Sequence, residues 1–170
     1  MFLSTLFYLL TLSCLSSVPT NELHCKVISV TDGDTFKILQ GKKKVAIRID
    51  AIDAPEKGMP YYAASKKYLA ELCGNRLVHL DIKKTDRYGR FVCRAKLSDG
   101  RDISAEMIRK GLAWHYKKYS SDKNLAAIEE KARKNRVGLW QEKSAKAPWE
   151  VRKIRRESKK LKNIEKVSNR

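Results

Sequence analysis

Residues 27–50 read VISVTDGDTFKILQGKKKVAIRID, and their pattern of apolar runs and turns is the most informative about the fold. Its first apolar run ends at Asp32-Gly33, a second run follows, and Gly41 with three lysines marks the next turn. An Asp-Gly pair between two apolar runs is a strong hairpin signal. From residue 45 to 49 apolar side chains alternate, which places Arg48 on the face opposite the apolar row. The stretch therefore predicts a bent, three-stranded meander.

The remainder of the chain, as far as Trp140, mixes short strands with helices. The sequence indicates helices over 61–73, 104–111 (capped by Ser104) and 122–136, and further strands over 77–82 and 91–97. Five short strands with helices between and after them are typical of a small closed barrel. We therefore predict an α+β domain, a five-stranded OB-type β-barrel with three α-helices.

The charge of the chain restricts its partners. There are 37 Lys and Arg residues against 19 Asp and Glu residues, for a formal net charge of +18. A field of this size attracts polyanions, which means nucleic acid or an anionic membrane surface. A soluble protein that is merely basic, without a polyanionic partner, is the less favoured interpretation.

The N-terminal segment has the composition of an export signal. The first 21 residues contain no charged side chain, and residues 1–17 form an apolar core followed by small residues. We expect cleavage after Ser16 or Ser17 and a secreted or periplasmic protein. A retained membrane anchor and lipidation of Cys14 are the alternatives. Export would leave three cysteines, forming either one disulfide and a free thiol or three buried thiols: Cys25, Cys73 and Cys93.

Composition divides the chain into a signal segment (1–17), a folded domain (22–140) and a basic C-terminal tail (141–170). The tail holds eleven Lys and Arg residues against four Glu residues. Trp149, Val151 and Ile154 are candidates to pack a short helix onto the domain, and we expect mobility beyond Glu157. The charge run is either a solvated face or a non-specific phosphate-binding arm, and the two are compatible.

Five acidic residues lie close together in this otherwise basic chain. They occupy one stretch of 25 residues: Asp32, Asp34, Asp50, Asp53 and Glu56. Turns use Asp and Gly for their backbone geometry, so a single Asp-Gly-Asp is weak evidence. A carboxylate cluster repels a polyanion, however, unless a cation or a reaction requires it. Carboxylate and carbonyl oxygens are the ligands of hard divalent cations, and Ca²⁺ tolerates irregular geometry and retained water.

Two arginines complete a set suited to phosphodiester chemistry. Arg48 stands on the strand that leads to Asp53, and Arg90 follows the turn at Gly89. A guanidinium offers a planar fork that matches two phosphate oxygens. Hydrolysis of a phosphodiester needs compensation of charge at phosphorus, a polarising cation and a base for water. Together the arginines and carboxylates supply all three.

Three segments then resemble a known family. Residues Val30–Thr35, Arg48–Glu56 and Thr85–Arg90 are similar to the three motifs of staphylococcal nuclease and its thermonuclease relatives. The resemblance extends from about Val27 to Trp140, with order and spacing in agreement. It implies an OB-type barrel with three helices, and a monomeric enzyme. The activity it implies is Ca²⁺-dependent hydrolysis of DNA and RNA, which leaves 3′-phosphate ends.

The resemblance also implies roles for nine residues of this chain. These are the Ca²⁺ ligands Asp34, Asp53 and Ala54 (through its backbone carbonyl), the general base Glu56, the phosphate-binding Arg48 and Arg90, the terminal-phosphate contacts Arg87 and Tyr88, and the base-stacking Tyr116. DNA and RNA are the expected partners, without a stable protein partner, and membrane contact requires an uncleaved N-terminus. The main competing hypothesis is a non-catalytic nucleic-acid-binding module on the same barrel. A basic protein of the membrane surface is the third hypothesis.

Overall fold

The computed structural model describes residues 22–168. The predicted signal segment, 1–17, and Cys14 lie outside the described residues. In chain order the elements are β1 (Glu22–Asp32), β2 (Thr35–Gln40), β3 (Lys43–Ile49), β4 (Ile52–Asp53), α1 (Tyr62–Cys73), β5 (Leu77–Thr85), β6 (Phe91–Leu97), α2 (Ile103–Arg109), β7 (Trp114–His115), α3 (Lys123–Lys134), a 3₁₀ turn (Gly138–Gln141) and α4 (Pro148–Ser168).

Five of the strands close into a barrel in the order β1-β2-β3-β6-β5. β3 and β6 pair in parallel, and the other neighbouring strands pair antiparallel. The two short strands β4 and β7 form a separate ribbon beside the barrel. The predicted α+β class and the five-stranded OB-type barrel are therefore confirmed.

The meander predicted from residues 27–50 is present as β1, β2 and β3. Phe36 and Ile38 on β2 and Ile47 and Ile49 on β3 point into the barrel and are almost fully buried. Burial of each such side chain contributes about 1.5–3 kcal/mol to the free energy of folding. Because side chains alternate along a strand, burying Ile47 and Ile49 places Arg48 on the opposite face of β3.

The three predicted helices are present as α1, α2 and α3, and one cap was assigned to the wrong residue. The side chain of Asp102 accepts a hydrogen bond from the backbone N–H of Ala105 (3.1 Å) and caps α2. The Ser104 hydroxyl instead donates to the backbone carbonyl of Asp50 (3.0 Å). Ser104 therefore joins α2 to the segment after β3.

A fourth helix, α4, extends the predicted count of three. It begins at Pro148 and continues to Ser168, so the segment beyond Glu157 that we expected to be mobile is helical. Most residues between 153 and 164 are exposed, including the apolar Leu161 and Ile164. Its start packs on the domain, as predicted for Trp149: Ala147 and Trp149 lie against Trp114 and Leu139. The same prediction was wrong for Ile154, which is 48 % exposed.

The three cysteines of the described domain are free and buried. Burial raises the pKa of Cys25 to about 11 and that of Cys73 to about 12, so both remain thiols at neutral pH. Cys93 lies on β6 with a pKa that burial also raises, to about 12. Across residues 22–168, every helix is too short or too polar to cross a membrane.

Candidate active site

An open cleft of about 970 Å³ lies at one rim of the barrel. The turn between β1 and β2, the segment after β3, the turn between β5 and β6 and the start of α4 all contribute to it. The cleft brings together every residue that the sequence singled out for a role: Asp34, Arg48, Asp53, Ala54, Glu56, Arg87, Tyr88, Arg90 and Tyr116. Three motifs that are distant in sequence therefore face one space.

Asp34 is fixed by the tight turn between β1 and β2. Its Oδ1 accepts a hydrogen bond from the Thr35 hydroxyl (2.9 Å) and its Oδ2 accepts one from the backbone N–H of Ala54 (2.8 Å). The turn packs so closely on α1 that a Cβ on Gly33 would lie 1.8 Å from the hydroxyl of Ser65. Glycine at position 33 is thus required by packing, in addition to its turn preference.

Asp53 ends the short strand β4, which pairs with β7. Only 2 % of the residue is exposed. Burial raises the pKa of its carboxyl group, although Arg152 and Arg48 act in the opposite direction. A carboxylate in this position favours a cation beside it, because removal from water penalises the unpaired charge.

Arg48 joins the two aspartates. Its Nη2 lies 3.2 Å from Oδ2 of Asp34 and 3.0 Å from Oδ1 of Asp53, and its Nη1 donates to the carbonyl of Ile49 (2.9 Å). The side chain is only 14 % exposed. Both carboxylates are therefore held within reach of one positive charge.

The donor set is suited to a hard divalent cation. Asp34 and Asp53 present carboxylate oxygens, and neighbouring Asp32 has its pKa raised to about 6 by burial and by the charge of Asp34. Among residues 22–168 no three His, Cys, Asp or Glu side chains converge as a metal cage. Two carboxylates supplemented by carbonyl oxygen and water match the loose oxygen shell that Ca²⁺ accepts, so the residues present fit that ion.

Glu56 lies at the mouth of the cleft and is paired with arginines of α4. Its Oε1 accepts a hydrogen bond from Arg152 (2.7 Å), and its Oε2 lies 3.3 Å from Nη1 of Arg155. About a third of its side chain is exposed. A carboxylate in this position has access to water and to any phosphate that enters the cleft.

The turn between β5 and β6 supplies the second predicted arginine. Nε and Nη2 of Arg90 both lie 2.8 Å from Oδ2 of Asp86. The guanidinium of Arg87 lies 4.9 Å from the ring centre of Tyr88, and that of Arg90 lies 5.5 Å from the same ring. Asp86 therefore orients Arg90 in the lining of the cleft, and the two arginines lie against the exposed ring of Tyr88.

Sequence reasoning missed the contribution of α4. The ring of Tyr116 stacks on that of Trp149 (centroids 4.9 Å apart, planes within 7°), and Arg152 reaches Asp53 and Glu56. Positions 152 and 156 follow position 149 by three and seven residues, which is the spacing of one helical face. That spacing was the available signal, and all three residues line the cleft.

A closed barrel that carries paired arginines and carboxylates in a basic cleft defines a class of protein, the nucleic-acid hydrolases. The family model described as "Staphylococcal nuclease homologue" matches residues 46–142, more than half of the chain. The chain belongs to this family. The matched region includes Arg48, Glu56 and Arg90 and begins after Asp34.

Relatives from several organisms support this family assignment. The chain is 34 % identical over 128 residues to an uncharacterized endonuclease of Escherichia coli O157:H7, covering 75 % of this chain and 84 % of the relative. It is 34 % identical over 148 residues to a micrococcal nuclease of Shigella flexneri, covering 81 % and 85 %. A staphylococcal-like nuclease of Arabidopsis thaliana is 39 % identical over 114 residues, covering 67 % and 35 %. The chain is therefore a nuclease that acts on nucleic acid.

Proposed function

We propose that this chain is a Ca²⁺-dependent nuclease that hydrolyses phosphodiester bonds of DNA and RNA and leaves 3′-phosphate ends. One observation carries the proposal. Arg48 bridges Asp34 and Asp53 at 3.2 and 3.0 Å, and Glu56 and Arg90 line the same cleft. This places oxygen ligands for a cation, a carboxylate that can accept a proton, and two guanidinium groups around one space.

In this proposal, Ca²⁺ is held by the carboxylates of Asp34 and Asp53 and by the backbone carbonyl of Ala54. When bound, the ion polarises an oxygen of the substrate phosphate. The hydrogen bond from the Ala54 N–H to Asp34 keeps the Asp34 carboxylate next to Ala54. Arg48 holds both carboxylates close together, so that they face one space.

Glu56 is the proposed general base. It takes a proton from water as the water oxygen bonds to phosphorus. The bond from phosphorus to the 5′ oxygen breaks as that oxygen takes a proton from solvent water, and Glu56 then returns its own proton to solvent. Arg48 and Arg90 stabilise the charge that accumulates on the phosphoryl oxygens, each with a fork that suits two of them. The phosphate stays on the 3′ side of the break.

Three further residues are proposed to bind the substrate. Arg87 and Tyr88 contact a terminal phosphate, since both lie on the exposed turn beside Arg90. Tyr116 provides a stacking surface for a base, and its stack with Trp149 widens that surface. Aromatic surfaces bind bases without regard to sequence, which suits a nuclease that accepts both DNA and RNA.

Digestion of denatured DNA tests the metal dependence. We expect degradation in millimolar Ca²⁺, loss of activity in excess chelator, and poor replacement by Mg²⁺, which demands a tighter octahedral shell. The ends are checked with a 5′-labelled oligonucleotide, whose fragments should shift in a gel after phosphatase treatment removes their 3′-phosphate. Full activity in excess chelator contradicts the cation site, and binding without cleavage supports the non-catalytic module.

The exposed half of α4 is proposed as a non-specific phosphate-binding arm. Deleting residues 158–170 should leave kcat on a dinucleotide unchanged and weaken binding of long single-stranded DNA at low salt. Each arm residue that neutralises a phosphate contributes about 0.7 to the slope of log affinity against log salt. Anisotropy of labelled DNA in chelator measures this slope.

The matched control for the arm keeps its length. Full-length protein with Lys159, Lys160 and Lys162 replaced by glutamine loses three of the five Lys and Arg residues that the deletion removes. It should therefore lose about three fifths of the slope that the deletion loses, because the effect is one of charge. An unchanged slope in both variants shows that the arm is only a solvated surface. The deletion begins at residue 158, after Trp149 and Arg152, so the packed first turns of α4 remain.

A further inference from the structure

The first turns of α4 are anchored against the domain beside the active-site cleft. Trp149 stacks on Tyr116 with 4.9 Å between ring centroids and 7° between planes. Ala147, just before the helix, is buried against Trp114 and Leu139. This packing fixes the direction of the helix, so that the side chain one turn beyond Trp149 enters the cleft.

That side chain is Arg152, and it spans two carboxylates. Its Nη2 lies 2.6 Å from Oδ2 of Asp53, and its Nη1 lies 2.7 Å from Oε1 of Glu56. Nη1 is also 3.4 Å from Oδ1 of Asp53. Arg155 adds a looser contact to Glu56, at 3.3 Å, from a side chain that is more exposed.

These contacts occupy the oxygens that a cation requires. Oδ1 of Asp53 accepts a hydrogen bond from Arg48, and Oδ2 accepts one from Arg152. A divalent cation on Asp53 would lie within a few ångströms of the Arg152 guanidinium. Two positive charges a few ångströms apart repel strongly in a partly buried site, and a divalent ion repels more strongly than a monovalent one. Arg152 and the cation therefore compete for Asp53.

A nucleic acid supplies the alternative partner for Arg152. The side chain is about a third exposed and lines the cleft along with Arg156, so a phosphate that enters the cleft can reach it. Arginine binds phosphate through the same planar fork that it uses for carboxylate. A substrate that binds Arg152 removes the competitor from Asp53 and leaves Glu56 without its strongest partner.

We propose that Arg152 is an exchangeable counter-ion of the active site. In the cation-free protein it holds Asp53 and Glu56; when cation and nucleic acid bind together, it transfers to a substrate phosphate. The inference rests on the proposed Ca²⁺ site and adds a positioning residue from outside the region matched by the family model. Its consequence is that the free protein binds Ca²⁺ weakly and that phosphate ligands strengthen Ca²⁺ binding.

Calorimetric titration of the full chain with Ca²⁺ at low salt tests this exchange. Arg152→Gln should bind Ca²⁺ about tenfold more tightly than wild type, because the competing charge is absent. Thymidine 5′-monophosphate, which has no diester bond to cleave, should tighten Ca²⁺ binding in wild type and do so much less in Arg152→Gln. Lys153→Gln is the matched control: it removes one charge from the same helix, at an exposed position outside the lining of the cleft.

Thermal melts provide a second readout that does not depend on catalysis. Without Ca²⁺, Arg152→Gln should melt below wild type, because Asp53 and Glu56 lose a counter-ion; with Ca²⁺ it should gain more in Tm than wild type gains. Arg152→Lys keeps the charge but loses the fork that spans both carboxylates, so it should lie between wild type and Arg152→Gln in both measurements. Equal Ca²⁺ affinity in wild type and Arg152→Gln overturns the exchange and leaves the Ca²⁺ site standing. Failure of both proteins to bind Ca²⁺ overturns the Ca²⁺ site and the exchange together.

Discussion

Arg90→Lys should lower kcat by a factor on the order of 10²–10³ while the protein remains folded. Lysine keeps the positive charge but loses the planar fork that spans two phosphoryl oxygens. Arg90 is suited to this substitution because its partner is Asp86, at 2.8 Å, on its own turn. The change therefore leaves the contacts of Asp34 and Asp53 with Arg48 undisturbed.

The measurement is steady-state cleavage of a single-stranded oligonucleotide at saturating Ca²⁺, with a thermal melt of each protein. Arg94→Lys is the matched control. Arg94 lies on β6 and pairs with Asp102 (2.8 Å), and neither residue lines the cleft. It should retain kcat within a few-fold of wild type. Near-normal kcat for Arg90→Lys would remove this residue from the mechanism, whatever its effect on KM.

Arg48→Lys is expected to combine two defects and is harder to interpret. Arg48 is a phosphate-binding candidate and also the bridge between Asp34 and Asp53, at 3.2 and 3.0 Å. A lysine would lose the fork and alter the spacing of both carboxylates. The sequence and the family resemblance placed Arg48 in the site; the bridging contact required the structure.

The sequence predicted the barrel because its determinants are local. The Asp32-Gly33 turn and the alternation of residues 45–49 specify strand ends and inward faces without reference to distant residues. The convergence of the three motifs followed from the family resemblance, and the cleft brings all nine site residues together. What they do chemically is still a proposal.

The position of α4 was beyond the reach of local signals. Two cleft arginines stood among eleven Lys and Arg residues in the last thirty, and composition alone does not distinguish them from their neighbours. Their placement depends on tertiary packing, in which Ala147 and Trp149 meet Trp114 and Leu139. The prediction of the α2 cap was wrong for a similar reason. Asp102 and Ser104 are both good capping residues, but the Ser104 hydroxyl donates its hydrogen bond to the distant carbonyl of Asp50.

Glu56→Gln should lower kcat by about 10²–10⁴, the range that a positioned general base contributes. Glutamine is nearly isosteric and still accepts a hydrogen bond from Arg152, but it cannot take a proton from water. The fold should persist, because Arg152 keeps its contact with Asp53 at 2.6 Å. Ca²⁺ affinity should also persist, since the proposed ligands are Asp34, Asp53 and the carbonyl of Ala54.

Ca²⁺ titration beside steady-state kinetics separates a base from a cation ligand. If Glu56 is the base, Glu56→Gln loses kcat while its Ca²⁺ affinity stays that of wild type. Glu71→Gln, an exposed glutamate of α1 whose partner is Lys67, is the control and should match wild type. If Glu56→Gln loses Ca²⁺ binding in proportion to its loss of kcat, Glu56 acts as a cation ligand. In that case the base must be sought elsewhere, and Asp32, which also lines the cleft, is a carboxylate to test.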